Sequence, residues 1–292
     1  RLLREAQALA KLAHPNIVTV YEVGSADDRV FVAMEYVHGQ TLSAWLEGAS
    51  AQPEPQRIQA LLGLFRDAGR GLAAVHQAGL AHRDFKPDNV LVGSDGRVRI
   101  VDFGLARSTL ETSDERPASD SQVDVLAARS SISARLASSS GGEASDELVT
   151  PDISSLTATG TLLGTPRYMA PEQWRARRGD SRSDQFSFCV ALFRALFGAF
   201  PFESATSAGL RVAVVGGELR EPARKPEVPA RLHAALIRGL ATDPDARWPD
   251  MGELLQAIDE ALAPRRGARS SLWLSLSAVV ITAAITIALL IQ

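Results

Sequence analysis

One short segment of the chain concentrates side chains able to move a proton, hold a cation and neutralise an anion. His82-Arg83-Asp84-Phe85-Lys86-Pro87-Asp88-Asn89 places an acid, a lysine two residues later and an amide three beyond that in one polar loop. Asp102-Phe103-Gly104 begins thirteen residues after Asn89. An amide and a carboxylate are oxygen ligands for a hard cation such as Mg2+, which keeps some waters and takes its other ligands from substrate phosphates. Metal, a positioned base and positive charge near the transferred group are the main requirements of phosphoryl transfer.

Elements on either side must hold these groups. A long amphipathic run from Arg57 to Gln77, punctuated before by Pro53 and Pro55 and ended by Gly79, predicts a helix leading into the loop. Val90-Leu91-Val92 predicts a strand, Gly93 to Gly96 a turn, and Val98 to Val101 a second strand that delivers Asp102. The hairpin so formed brings Asn89 and Asp102 to the same edge of the sheet. Upstream, Leu2, Leu3, Ala6, Leu9, Ala10 and Ala13 recur at helical spacing, and Ile17 to Val23 with Val30 to Tyr36 predict a hairpin turning over Gly24 to Arg29. Ser43 to Glu47 predicts a short helix, with longer ones over Asp184 to Phe197, Pro229 to Leu240 and Met251 to Leu262.

The loop, Asp102-Phe103-Gly104 and a downstream Ala170-Pro171-Glu172 together resemble the eukaryotic-type serine/threonine protein kinases. His-Arg-Asp-Phe-Lys-Pro and Gly-Thr-Pro-Arg-Tyr-Met-Ala-Pro-Glu-Gln look like the bacterial signalling members. The resemblance covers Arg1 to about Leu262 and implies an α+β, bilobal fold with a truncated small lobe, a mainly helical large lobe and a C-terminal transmembrane helix. By that resemblance Asp84 is the base for the substrate hydroxyl, Lys86 neutralises charge on the phosphoryl group, and Asn89 and Asp102 hold the metal. Thr165 would contact Asp84 and Lys86, while His82 and Phe103 pack the loop and Gly104 completes the second motif. Glu5 matches the small-lobe glutamate that pairs with a lysine. Met34, Glu35 and Val37 fall at the hinge that meets adenine, and Leu91 lies under its ring. Arg83 would pair with an activating phosphate among Thr157, Thr159 and Thr161, with Thr159 and Thr161 preferred. Glu172 is expected to be buried against Arg247, and Asp184 to hold the catalytic loop backbone. The tryptophan and glycine usual after that aspartate are Phe186 and Cys189 here. ATP and Mg2+, with Mn2+ as an alternative, are the implied cofactors. Proteins bearing serine or threonine hydroxyls are the implied partners, with a homodimer for phosphorylation in trans.

Organisation follows from composition. The 292 residues are 46% hydrophobic and 22% charged, with a net charge of -3, enough for one sizeable core or two lobes. The slightly acidic balance gives no reason to expect nucleic acid. Cys189 is the single cysteine, which excludes a disulfide framework. Expected boundaries are a kinase domain over 1–263 (partial small lobe 1–37, large lobe 38–263), with 108–156 a disordered insertion rich in serine, alanine and acid. A basic linker over 264–270 and a transmembrane helix over 271–291 follow. Leu272 to Ile291 is twenty residues without a charge, enough at about 1.5 Å per residue for a hydrocarbon core of about 30 Å. Arginines on its N-terminal side predict a single-pass protein of the inner membrane with the kinase lobes in the cytoplasm. Such a chain is either tail-anchored or continues into an external sensor domain.

The sequence holds no Gly-x-Gly-x-x-Gly and no Val-Ala-Ile-Lys strand before Glu5, two parts of the kinase small lobe. Since residue 1 is an arginine and the first helix has no N-cap, a longer protein is expected upstream. The rival reading is a pseudokinase or membrane-tethered scaffold. Retention of Asp84, Lys86, Asn89 and Asp102 opposes it. A small-molecule phosphotransferase is opposed by the Gly164 to Glu172 segment.

Overall fold

The computed structural model describes residues 8–26, 29–49, 53–103, 165–222 and 227–263. Residues 8–10 are helical, and the chain then enters β1 (Val20–Ala26), which pairs antiparallel with β2 (Arg29–Met34). The register shifts between Val20 and Glu22, so Tyr21 bulges out and is exposed. This corrects the expected hairpin over Ile17 to Val23. Ile17 and Val18 leave it and pair instead with the other sheet, through a parallel bridge to Ile100 and a Val18 N–H to Ile100 carbonyl bond of 3.0 Å. Both side chains are buried there, which the exposed end of a two-stranded ribbon could not provide.

The second sheet is three-stranded and antiparallel in the order β3 (Gly39–Thr41), β4 (Val90–Gly93), β5 (Val98–Ile100). Thr41 also caps α1 (Leu42–Gly48), its hydroxyl accepting from the Ala44 N–H at 3.2 Å. α2 (Glu54–Gln77) starts one turn earlier than the sequence suggests, because Pro55 is tolerated inside a first turn whose N–H groups have no helical partner. Its buried stripe of Ile58, Leu61, Leu62, Phe65, Ala68, Leu72 and Val75 has the predicted spacing. Gly71 lets the helix approach the chain closely, since a Cβ there would lie 2.6 Å from the Asn16 carbonyl oxygen. Gly79, at φ 72, takes the left-handed position after the helix end.

The helical body continues with α3 (Pro171–Trp174), α4 (Ser181–Phe197), α5 (Ser207–Gly216), α6 (Ala230–Gly239) and α7 (Met251–Leu262). α4 is buried on nearly every side, as a central helix must be, and packs on α2 and α6. Asp180 caps it by accepting from the Arg182 and Ser183 N–H groups, so Asp184 stands one turn inside and not at the start. α7 packs on α2 and α6, and α3 on α5. Among the described residues no helix is long and apolar enough to cross a membrane. The expected span over 271–291, the linker over 264–270 and the insertion over 108–156 lie outside the described residues.

Candidate active site

The loop between α2 and β4 is held from below by one carboxylate. Asp184, 1% exposed, accepts the His82 backbone N–H at 2.7 Å and the Arg83 backbone N–H at 2.6 Å. His76 Nε2, at the end of α2, reaches the same carboxylate at 2.9 Å. Two N–H groups on adjacent residues can meet one carboxylate only where the backbone turns sharply, and Arg83 has φ 65. A non-glycine residue in the left-handed region costs on the order of 1 kcal/mol, which the charge-assisted bonds to Asp184 offset. Gln173 adds a further hold, its side-chain amide donating to the Arg83 carbonyl at 3.0 Å.

His82 has no exposure, and its two hydrogen bonds set the orientation of its ring. Its Nε2 must donate to the Val101 carbonyl at 2.9 Å, which leaves Nδ1 to accept the Asp84 N–H at 3.3 Å. It packs on Phe103 at 5.0 Å and on Phe85 at 6.0 Å between ring centroids. The loop is thereby tied to the residue before Asp102.

Above this base, Asp84 Oδ2 lies 3.3 Å from Lys86 Nζ and 3.3 Å from the Asn89 side-chain nitrogen. The same Asn89 nitrogen donates to the Asp84 carbonyl at 2.8 Å. Both neighbours being acceptors, the amide can take only this orientation, and Asn89 Oδ1 is turned away from Asp84. The Val101 N–H donates to the Asn89 carbonyl at 3.0 Å, placing Asn89 and Asp102 at one end of the β4–β5 hairpin. Asp102 is exposed and has φ 53, a second left-handed residue in the site. An amide oxygen and a carboxylate at a solvent-facing edge suit a cation that completes its shell with water and phosphate oxygens. Among the described residues no group of three or more His, Cys, Asp or Glu could hold a metal on its own.

At the hinge, Met34 and Leu91 pack on the small buried cluster of Val18, Val37 and Val101. The Glu35 N–H is taken by the Thr19 carbonyl at 2.8 Å, and its side chain meets Arg99 at 3.1 Å. Arg99 and its partner Asp95 were not legible as part of the site. Arg99 is buried on β5 and bonds both Asp95 carboxylate oxygens, at 3.2 and 2.8 Å. The Arg99 hydrogen bond, then the Arg97 bonds, hold the Asp95 carboxyl well below the usual range.

Arg83 Nε donates to the Gly179 carbonyl at 3.0 Å. Arg83 and His76 border an open cleft of about 350 Å³ shared with Leu80, Gly179 and Asp180. Thr165 opens the 3-10 turn Thr165–Tyr168. Arg247, 1% exposed, forms a fork on Glu172 with both contacts at 2.9 Å. Ser183 Oγ donates to the same carboxylate at 2.6 Å. Burial alone would raise the Glu172 pKa, but the Arg247 and Ser183 bonds outweigh it and the net direction is down. Glu5, Gly104, Thr157, Thr159 and Thr161 lie outside the described residues.

Residues 1–125 match the protein kinase domain family. The chain carries a protein kinase domain. Similarity to curated kinases runs well past residue 125. The tyrosine-protein kinase MasK of Myxococcus xanthus is 30% identical over 268 residues, 89% of this chain and 35% of that protein. Serine/threonine-protein kinase PknJ of Mycobacterium bovis is 32% identical over 271 residues, 90% of this chain and 38% of that protein. Serine/threonine-protein kinase pkn3 of Myxococcus xanthus is 31% identical over 288 residues, 93% of this chain and 45% of that protein. The chain therefore spans less than half the length of these relatives. The chain is mixed in helix and sheet, and its similarity extends to bacterial serine/threonine-protein kinases such as PknJ and the probable PknB of Lactococcus lactis.

Proposed function

We propose that the protein transfers the γ-phosphate of ATP to serine or threonine hydroxyls of other proteins. The observation that carries this reading is the state of Asp84. Its carboxylate is buried, touched by Lys86 Nζ and the Asn89 amide, and set on a backbone that Asp184 clamps at two successive N–H groups. A carboxylate so placed can receive a hydroxyl proton while Lys86, on the same oxygen, is within reach of a transferred phosphoryl group. Asn89 Oδ1 and the Asp102 carboxylate would hold Mg2+ or Mn2+, which when bound supplies charge neutralisation at the phosphates. Met34, Val37 and Leu91 would offer adenine an apolar surface, and the Glu35 carbonyl with the Val37 backbone its polar edge.

Arg83 would turn toward a phosphate on Thr159 or Thr161, and Thr165 would confine the acceptor hydroxyl. Placement at the inner membrane with the kinase lobes cytoplasmic, and a homodimer that phosphorylates in trans, belong to the same reading. The placement rests on the apolar run from Leu272 to Ile291 and its flanking arginines, and the homodimer on the kinase resemblance alone.

The test is radiolabelled phosphate transfer from ATP and Mg2+ to a generic protein substrate, with phosphoamino acid analysis, for the full chain beside Asp84→Asn. Label on serine and threonine that vanishes in the variant is expected, with a drop of on the order of 10²–10⁴-fold for loss of a general base. Label on tyrosine would move the acceptor class towards that in MasK's name. Equal transfer by both proteins would remove Asp84 from the mechanism.

A further inference from the structure

Next to the catalytic turn stands a cluster that the transfer chemistry does not use. The Phe200 ring carries two guanidinium groups, Arg167 at 4.9 Å and Arg194 at 4.5 Å from its centroid. Tyr168 packs edge-on against the same ring at 5.6 Å, and its hydroxyl accepts from Arg194 Nη1 at 2.8 Å. Ser187 fixes the Tyr168 backbone by donating to its carbonyl at 2.7 Å. Two cations on one ring repel each other; the negative π face and the tyrosine oxygen offset part of that repulsion. Arg194 is exposed and Arg167 partly so. Among the described residues neither guanidinium is ion-paired with a carboxylate.

The cluster is joined to the acceptor side of the site. Arg167 and Tyr168 lie in the turn that Thr165 opens, and Gln173 just beyond holds the Arg83 carbonyl at 3.0 Å. Asp88, in the 3-10 turn Pro87–Asn89, is close enough to act on the Tyr168 hydroxyl. Burial raises that pKa most, with Asp88 adding to it and Arg194 and Arg167 opposing. The turn that carries Arg167 and Tyr168 is thus linked, through Gln173, to the residue directly before Asp84.

We infer that Arg167 and Arg194 form a substrate subsite for an anionic side chain, carboxylate or phosphate, close to the acceptor hydroxyl. The inference deepens the kinase reading and rests on it. Two guanidinium groups outnumber the single Asp88 carboxylate, and guanidinium suits both carboxylate and phosphate. Phe200 holds both groups in place, so less side-chain freedom is lost when an anion arrives.

Matched peptides carrying glutamate, phosphoserine, glutamine or lysine beside the acceptor serine test this with the full chain. Binding is read by fluorescence anisotropy and transfer by label incorporation. Glutamate or phosphoserine peptides are expected to bind roughly three- to tenfold tighter than the glutamine peptide, as partly exposed ion pairs allow. Preference for phosphoserine alone would identify a subsite for already phosphorylated substrates, and equal preference a general acidic one. Arg194→Glu should reverse the order towards lysine, Arg167→Glu should weaken it, and Arg194→Lys should keep it. Lysine or glutamine peptides binding as well as the anionic ones would overturn the inference, whether or not phosphate is transferred. Anion-selective binding without transfer would keep the subsite and remove the kinase reading.

Discussion

Replacing Asp184 by asparagine tests whether the loop is clamped as described. The carboxylate offers two oxygens to the Arg83 N–H at 2.6 Å, the His82 N–H at 2.7 Å and His76 Nε2 at 2.9 Å. Asparagine has one oxygen. If it faces His82 and His76, its amide nitrogen is set against the Arg83 N–H, and the opposite orientation sets it against the His82 N–H. Either way a buried backbone donor is stranded, at about 1–3 kcal/mol, and the remaining bonds lose their charge assistance. Roughly 2–4 kcal/mol of destabilisation follows, a large fraction of the ~5–15 kcal/mol typical of a domain. Arg83 then has reason to leave φ 65, regaining on the order of 1 kcal/mol and shifting Asp84. A displacement of the order of an ångström at the base lowers turnover by about 10²-fold. Urea unfolding and steady-state phosphorylation are the assays, on Asp184→Asn beside unaltered protein. Unfolding free energy within about 0.5 kcal/mol of the original, with unchanged turnover, would refute the clamp, because surface changes already reach that size.

Other positions give separate checks. Arg247→Met strands the Glu172 carboxylate and the carbonyls of Ala241 and Arg182, so urea unfolding should report a loss of about 3–5 kcal/mol. Adding Glu172→Gln to that variant should recover part of the loss in a double-mutant cycle. Glu172 has a folded pKa below its ordinary 4.5, so its stabilisation is complete above that pH and is lost as pH falls through the lower folded value. Thermal melts of Glu172→Gln should accordingly show a shallower acid slope than the original. Burial pushes the Cys189 thiol up to about 12, so thiol reagents should label it only as fast as the protein opens. Gly239→Ala should accelerate that labelling, since a Cβ at Gly239 would lie 2.3 Å from Cys189 Sγ.

The meeting of Asp84 with Lys86 and Asn89 was legible because it is local: the three lie within one turn's reach along the chain. α2, α4 and α7 were legible from apolar spacing and from Gly79. α5 was not, although Thr206 caps it and Gly217 follows it in the left-handed region, because its Val-rich interior reads equally as strand. Arg99 was missed for another reason. Its alternation in β5 marks it as outward-facing, and only the fold brings Glu35 and Asp95 to cover it. Phe186 and Cys189, which stand where tryptophan and glycine are usual, each have a dedicated neighbour. Phe186 stacks on Phe202 at 5.7 Å beneath Arg247, and Cys189 fills the space that Gly239 leaves.

The departure of Ile17 and Val18 from their expected hairpin has a mechanical side. Val18 is tied to Ile100, and Glu35, at the same open end of the β1–β2 ribbon, is tied to Arg99. Both moorings therefore end on neighbouring residues of one strand. A ribbon anchored so can pivot but can hardly slide, since sliding would break both ties together. The pivot stands two residues from Asp102, so any change in tilt of the ribbon is felt first where the Asp102 carboxylate leaves the strand.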